Sequence, residues 1–226
     1  MKEKKMKLWT LIVIVILLVI AIFVGMFARK ISILSNLDKK MESANEAKNL
    51  SVKIVSQNQT STRYRKDNKV KFVTPSNTTI VDTRGTLATL YLYKEENGKK
   101  IVQKTDNLTV HITMLENCAD LVQDTLSDQI QLARSTKISS QNVDGKACYA
   151  LTQKAKSGYP SWLFPEGCES VTFYVEKTTG LPIKRVVQNI DKTQDVMIFE
   201  YSFNTVTDED MKALEGYEEV QQTIEE

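Results

Sequence analysis

The chain has 226 residues, with 30 lysines and arginines against 28 aspartates and glutamates, one histidine and three cysteines. A formal net charge of +2 supplies no strong field to select nucleic acid. One histidine leaves no basis for a His-rich metal site or a repeated Cys–His or Ser–His arrangement.

The stub Met1–Lys7 carries Lys2, Lys4, Lys5 and Lys7 against Glu3. Leu8–Ala28 follows as 21 residues without a charge. At about 1.5 Å per residue such a helix reaches about 31 Å, enough to cross a bilayer core. Four lysines in the stub favour a cytoplasmic N-terminus and an extracytoplasmic C-terminal domain. Arg29 and Lys30 weaken that bias without reversing it. A cleaved signal peptide is the competing reading. The run is longer than the usual h-region, no small-x-small site follows it, and no cysteine stands near its end to make a lipobox. The expected location is the cell membrane, as a retained single-pass anchor.

Residues 29–50 contain neither Gly nor Pro, and Ile31, Leu34, Leu37, Met41, Ala44 and Ala47 recur at three- and four-residue steps. This predicts a juxtamembrane helix packed on the following sheet, with a short coiled coil as the alternative. From Leu50 the period becomes two. Val52/Ile54, Arg63–Arg65, Val70/Phe72, Leu90–Tyr93, Ile101 and Leu108/Val110/Ile112 read as strands, with Asn97-Gly98 as a hairpin turn. A second helix is predicted over about 117–134, capped by Asn117, with Leu121, Val122, Leu126, Ile130 and Ala133 as its apolar stripe. Strands resume at Ala147–Leu151 after the Asp144-Gly145 turn, then at Val171–Val175, Ile183–Val187 and Val196–Phe203. The pattern is α+β, with antiparallel hairpins and helices on one face of a curved sheet.

The stretch Val143–Leu151 resembles the "DGK-x-C-Y" strand of Gram-positive members of the lipoprotein carrier superfamily (LolA/LolB-like). Phe173–Lys184 is similar to that family's "K-x-TGLP" hairpin, and Glu200–Asp210 to its "Y-x-F-N-x-V-x-D-x-D" closing strand. The match is close over about 143–211 and only architectural before that. The resemblance implies a membrane-anchored half-barrel: a bent antiparallel sheet with helices on its concave face. In Gram-negative relatives that cavity holds lipoprotein acyl chains, and a sensor of envelope lipoproteins uses the same fold. A tethered chain cannot shuttle between membranes as the soluble carriers do. The expected organisation is a stub (1–7), a span (8–28), a juxtamembrane helix (29–50), the half-barrel (51–211) and an acidic tail (212–226).

The candidate ligand-binding residues are Tyr159, Trp162, Leu163 and Phe164, in a loop bracketed by Gly and Pro, with Leu121, Val122, Leu126 and Ile130 as a helical plug. An apolar loop tip buries itself in the core, covers a cavity, or dips into the membrane. Cys148 and Cys168 are the candidate disulfide, against buried free thiols, because both border one hairpin; Cys118 is the odd cysteine. The spacings fit no metal motif, and His111 reads as structural. The alternating Arg63, Arg65, Lys66, Lys69 and Lys71 read as solvated or edge-protecting charges, with headgroup contact as the sharper reading. Four N-x-S/T sequons read as chance in a bacterial-type chain. Thr207–Glu226 holds eight acids and one base, a charge of −7 that leaves +9 on the rest. It reads as a solvated terminus or a docking tail for a basic partner. No nucleophile elbow, phosphate loop or zincin motif is present, so the chain reads as a non-enzyme with no cofactor. The expected function is binding of a lipid, a lipoprotein acyl chain or another apolar ligand. The alternative is an envelope sensor or structural protein-interaction domain with a plugged cavity. The implied partners are the membrane, a lipid or lipoprotein, and an envelope protein.

Overall fold

The computed structural model describes residues 2–57, 59–84, 87–109, 114, 126–155 and 164–221. Helix α1 runs unbroken over Lys2–Asn45. The strands are β1 (Asn49–Ser56), β2 (Thr60–Lys66), β3 (Lys69–Val73), β4 (Asn77–Arg84), β5 (Leu87–Glu96) and β6 (Lys99–Leu108). After α2 (Leu126–Ser135) come β7 (Thr136–Val143), β8 (Lys146–Lys154), β9 (Cys168–Glu176), β10 (Pro182–Asn189), β11 (Gln194–Phe203) and β12 (Glu218–Gln221). They form one open sheet in the order β12-β6-β5-β4-β3-β2-β1-β11-β10-β9-β8-β7. Every pairing is antiparallel except β12 on β6. Register shifts in β5/β6 and β9/β10 bend the sheet, because an extra residue on one strand increases local twist.

The turns form as their residues require. Asn97 and Gly98 have φ of 52° and 73°, and Asp144 and Gly145 have 50° and 81°. This is the left-handed pair of a two-residue hairpin turn. Helix α1 stops at Asn45 and not at residue 50. Its terminal carbonyl on Asn45 accepts from the Arg65 guanidinium, so a side chain from β2 takes the place of another helical turn. The chain then reverses into β1.

Of α1, Ile12–Phe23 is exposed, whereas Leu34, Leu37 and Met41 are buried. Among the described residues it is one helix long and apolar enough to cross a bilayer. Its C-terminal half lies on one face of the sheet, packed with Leu50, Val52 and Ile54 of β1, Phe173 and Val175 of β9, and Phe199 of β11. Ala133 of α2 joins the same core. The described residues thus place α1 and the end of α2 on one common face. The start of the second helix stripe, Leu121 and Val122, lies outside the described residues.

The opposite face carries a second, smaller core. Ile80, Tyr93 and Val102 are covered there by Leu214 and Tyr217. Tyr217 meets Tyr93 edge-on, with ring centroids 5.3 Å apart. This corrects the reading of the acidic terminus as a solvated tail. Residues 206–221 form a strap that crosses the back of the sheet and ends as β12 along the edge of β6. The apolar residues Leu214, Tyr217 and Val220 are spaced between its acids, and the first two supply the packing.

Candidate functional site

The clearest concavity with apolar walls among the described residues lies between α1 and the β9–β10 turn. It is an open cleft of about 610 Å³, bordered by Lys39, Ser43 and Ala44 of α1, Ala47 just after it, Leu181 after the turn, and Phe203 at the end of β11. That volume falls within the range of small-ligand clefts.

The turn Lys177–Leu181 is held by its own bonds. The Gly180 N–H donates to the Glu176 carbonyl at 2.8 Å, and the Glu176 N–H donates to the Leu181 carbonyl at 2.9 Å. Thr179 Oγ1 donates to the Glu176 carboxylate at 2.8 Å and accepts from the Leu181 N–H at 3.2 Å. Gly180 has φ of 73°, where a side chain is strained. Lys40 then clamps the turn from α1, donating from Nζ to the carbonyls of Lys177 (2.9 Å) and Thr178 (3.1 Å). The start of β10 is fixed by Tyr201, whose hydroxyl donates to the Pro182 carbonyl at 2.7 Å. Lys40 is thereby committed to the turn, whereas Lys39 beside it is exposed at the mouth. Phe203 keeps 42% of its surface exposed although it stands on the helix-covered face. The groove therefore offers apolar walls and a cation at its rim.

This is a different site from the one expected. Tyr159, Trp162, Leu163, Leu121 and Val122 lie outside the described residues, and Leu126 is placed only as the first residue of α2. Ile130 is half-buried in α2. Phe164 belongs to the main core at 8% exposure, in contact with the cluster that holds α1, and not to an open rim. Cys148 and Cys168 are free, buried thiols, which corrects the expected disulfide. Cys148 stands opposite Glu176, at the far end of β9 from Cys168. Eight residues of strand separate those positions by about 26 Å, against the 4.4–6.8 Å a bridge tolerates. Burial raises both thiol pKa values and keeps them protonated.

The basic run follows its expected role only in part: Lys69 is exposed to solvent, as expected, but the others are not all so. β2 and β3 are interior strands, so its charges are not edge protection. Arg63 and Arg65 lie on the helix-covered face. Arg63 donates to the Met114 carbonyl at 3.2 Å and stacks 5.9 Å from the Phe72 ring centroid. Burial lowers the Arg65 pKa. Lys71 points to the back and donates to the Lys212 carbonyl of the strap at 3.0 Å. Its pKa is lowered by burial, an effect that Asp210 and Glu209 partly offset. The sequence signal for these roles was the alternation itself: in a central strand, alternate charges face two different buried surfaces.

No group of three or more His, Cys, Asp or Glu among the described residues is placed to hold a metal ion.

No family model and no curated protein matches the chain. Solved structures do. The chain is similar to MucB, with 12% identity over 80% of this chain and 63% of that one, at a TM-score of 0.39. It is similar to the Mycobacterium tuberculosis lipoprotein LppX, with 10% identity over 78% of this chain and 97% of that one, at a TM-score of 0.37. It is also similar to a DUF1329 family protein from Desulfovibrio piger, with 12% identity over 80% and 97%, at a TM-score of 0.34. At these identities and TM-scores no residue role is transferred from them.

Proposed function

We propose that the chain is a single-pass membrane protein whose extracytoplasmic domain binds an acyl chain, from a lipid or a lipoprotein, in the groove between α1 and the β9–β10 turn. The observation that carries this reading is the exposed Phe203 lining one cleft together with Ala44, Ala47, Leu181 and Lys39. An apolar wall with a cation at its mouth suits a chain that ends in an anionic or hydrogen-bonding head. The exposed apolar run of α1 and the lysine-rich stub support anchoring with the N-terminus in the cytoplasm. The groove contains no arrangement to which a catalytic step is assigned.

A second reading has its own support. Leu34, Leu37 and Met41 fill the face of the sheet under α1, which suits an envelope sensor or interaction domain with a plugged interior. Native mass spectrometry after gentle detergent extraction separates the two. A co-purifying lipid that is lost in Ser43→Trp, with the melting temperature unchanged, supports the groove, because Ser43 is exposed and its replacement fills the cleft. Wild-type protein that is free of lipid and carries a stable protein partner supports the second reading.

A further inference from the structure

We propose that the β10–β11 turn, Asn189–Thr193, is a second membrane contact, with Ile190 seated in the bilayer interface and Lys154 at the level of the headgroups. The inference rests on the anchoring of α1 proposed above.

Two contacts fix the direction of the sheet relative to α1. Lys30 Nζ donates to the carbonyls of Ala133 (3.5 Å) and Thr136 (3.2 Å). Lys40 Nζ, ten residues on, reaches the carbonyls of Lys177 and Thr178. Thr136 is in register with Gln153, Gln153 with Val171, and Val171 with Val187. From that row to Lys177 is about 20 Å along β9, and from Lys30 to Lys40 is about 15 Å along the helix. The strands therefore run with α1 at a moderate tilt. Their Val171–Val187 end points back towards the apolar run.

Ile190 lies three residues beyond Val187, about 10 Å further along the strand. Scaled by the same tilt, that is about 7 Å along α1, or five residues below Lys30. The turn thus reaches the level of Gly25, inside the apolar run. Phe27 agrees with this placement, since it packs against the domain core although it lies within that run. No flexible linker separates span from domain, because α1 is continuous.

The side chains at that level suit an interface. Ile190 is 67% exposed, with its backbone N–H donated to the Gly167 carbonyl at 2.8 Å, so the turn presents it rigidly outward. Asn189 and Thr193 close the turn through a 3.0 Å backbone bond. Lys154 and Lys192 are exposed beside it. Lys192 pairs with Glu169 at 2.9 Å, Asp191 accepts from Thr193, and Asp195 accepts from the Asn189 amide at 3.1 Å, so the charged groups of the turn are engaged with one another. A rigidly presented apolar tip with a lysine at headgroup level fits the headgroup and upper acyl region of a bilayer.

The test uses the full chain in nanodiscs made of phosphatidylcholine and phosphatidylglycerol, with or without bromine on the acyl chains. Trp9 and Trp162 are replaced by Phe, and a single tryptophan is introduced by Ile190→Trp or by Ile198→Trp, the latter an exposed position in the middle of β11. The Ile190→Trp chain is expected to emit at shorter wavelength than the Ile198→Trp chain and to be quenched at least twofold more by brominated lipid. Equal quenching of the two chains, or a water-like emission from the Ile190→Trp chain, overturns the proposal while leaving the anchor intact. Failure of the chain to enter nanodiscs at all overturns the anchor and this inference together. If the background without native tryptophans unfolds, the same comparison is read as the quenching that each substitution adds to the native chain.

Discussion

A Cβ placed on Gly180 would lie 2.5 Å from Cβ of Lys40, closer than side chains pack. The β9–β10 turn can therefore press against α1 only because it has no side chain at that point. Gly180→Ala adds this overlap to a backbone conformation that itself costs about 1–3 kcal/mol for a non-glycine residue. The melting temperature should fall by about 2–4 °C for each kcal/mol lost. Lys40→Ala removes the Cδ contact at 2.8 Å but should not rescue it, since the nearest atom in the way, at 2.5 Å, is the Cβ that alanine retains. Differential scanning calorimetry of the two single variants and the double variant decides this, and a rescued double variant would contradict the geometry.

Asn45 should behave as a junction between helix and sheet. Its Oδ1 accepts from the Met114 N–H at 2.9 Å, and Met114 is fully buried. Asn45→Ala strands that buried N–H and should cost about 1–3 kcal/mol. Asn45→Asp keeps an acceptor and should lose less. Urea unfolding of both variants gives the comparison.

The two described cysteines should be inert. Cys148 and Cys168 are buried, with thiol pKa values raised chiefly by burial. Non-reducing peptide mapping should find no bond between them, and reductant should leave the melting temperature unchanged. Both should react with a thiol reagent only after denaturant is added. A recovered peptide linking Cys148 to Cys168 would sink the register described above.

Acid should loosen the start of the strap. The Asp208 pKa is lowered chiefly by its hydrogen bond to Lys66, at 2.6 Å, and then by that lysine's charge. The Asp210 pKa is lowered by the Thr207 N–H and hydroxyl, at 2.8 and 2.7 Å. Both folded-state values thus lie below the unfolded value of about 3.9. Their contribution is complete above that pH and is lost as pH falls through the depressed values. An NMR titration from about pH 6 to about pH 2 should show the Lys66 and Thr207 signals shifting with those of Asp208 and Asp210. Asp208→Asn should flatten the response, and a strap that loosens near neutral pH would point to other groups.

The local elements of this fold were legible because local chemistry decides them. Asn97-Gly98 and Asp144-Gly145 take the only conformations their hairpins allow, and the alternation of Leu50, Val52 and Ile54 marks one buried face. β4 and β7 were missed. Asn77–Arg84 alternates threonine with apolar residues on both faces, since each side is covered. Thr136–Val143 is an edge strand whose Ser, Gln and Asn carry no apolar period. The strap was misread because its acids outnumber the two residues that hold it. The groove was not legible at all: Lys40 and Lys177 are 137 positions apart, and neither segment alone shows that they meet.

The place of β1 has a consequence for how the chain comes to exist. β1 lies at the centre of the sheet, between β2 and β11, and its partner Glu200 stands 147 residues from Lys53. The hairpins from β2 to β6 close as they emerge, but the apolar stripe of α1 finds most of its cover on β8 to β11, which arrive last. Loop closure over such a distance is slow. Until those strands arrive, Leu34, Leu37 and Met41 therefore lack their final neighbours. The nascent domain thus keeps the apolar stripe of its first helix uncovered until its last third is delivered.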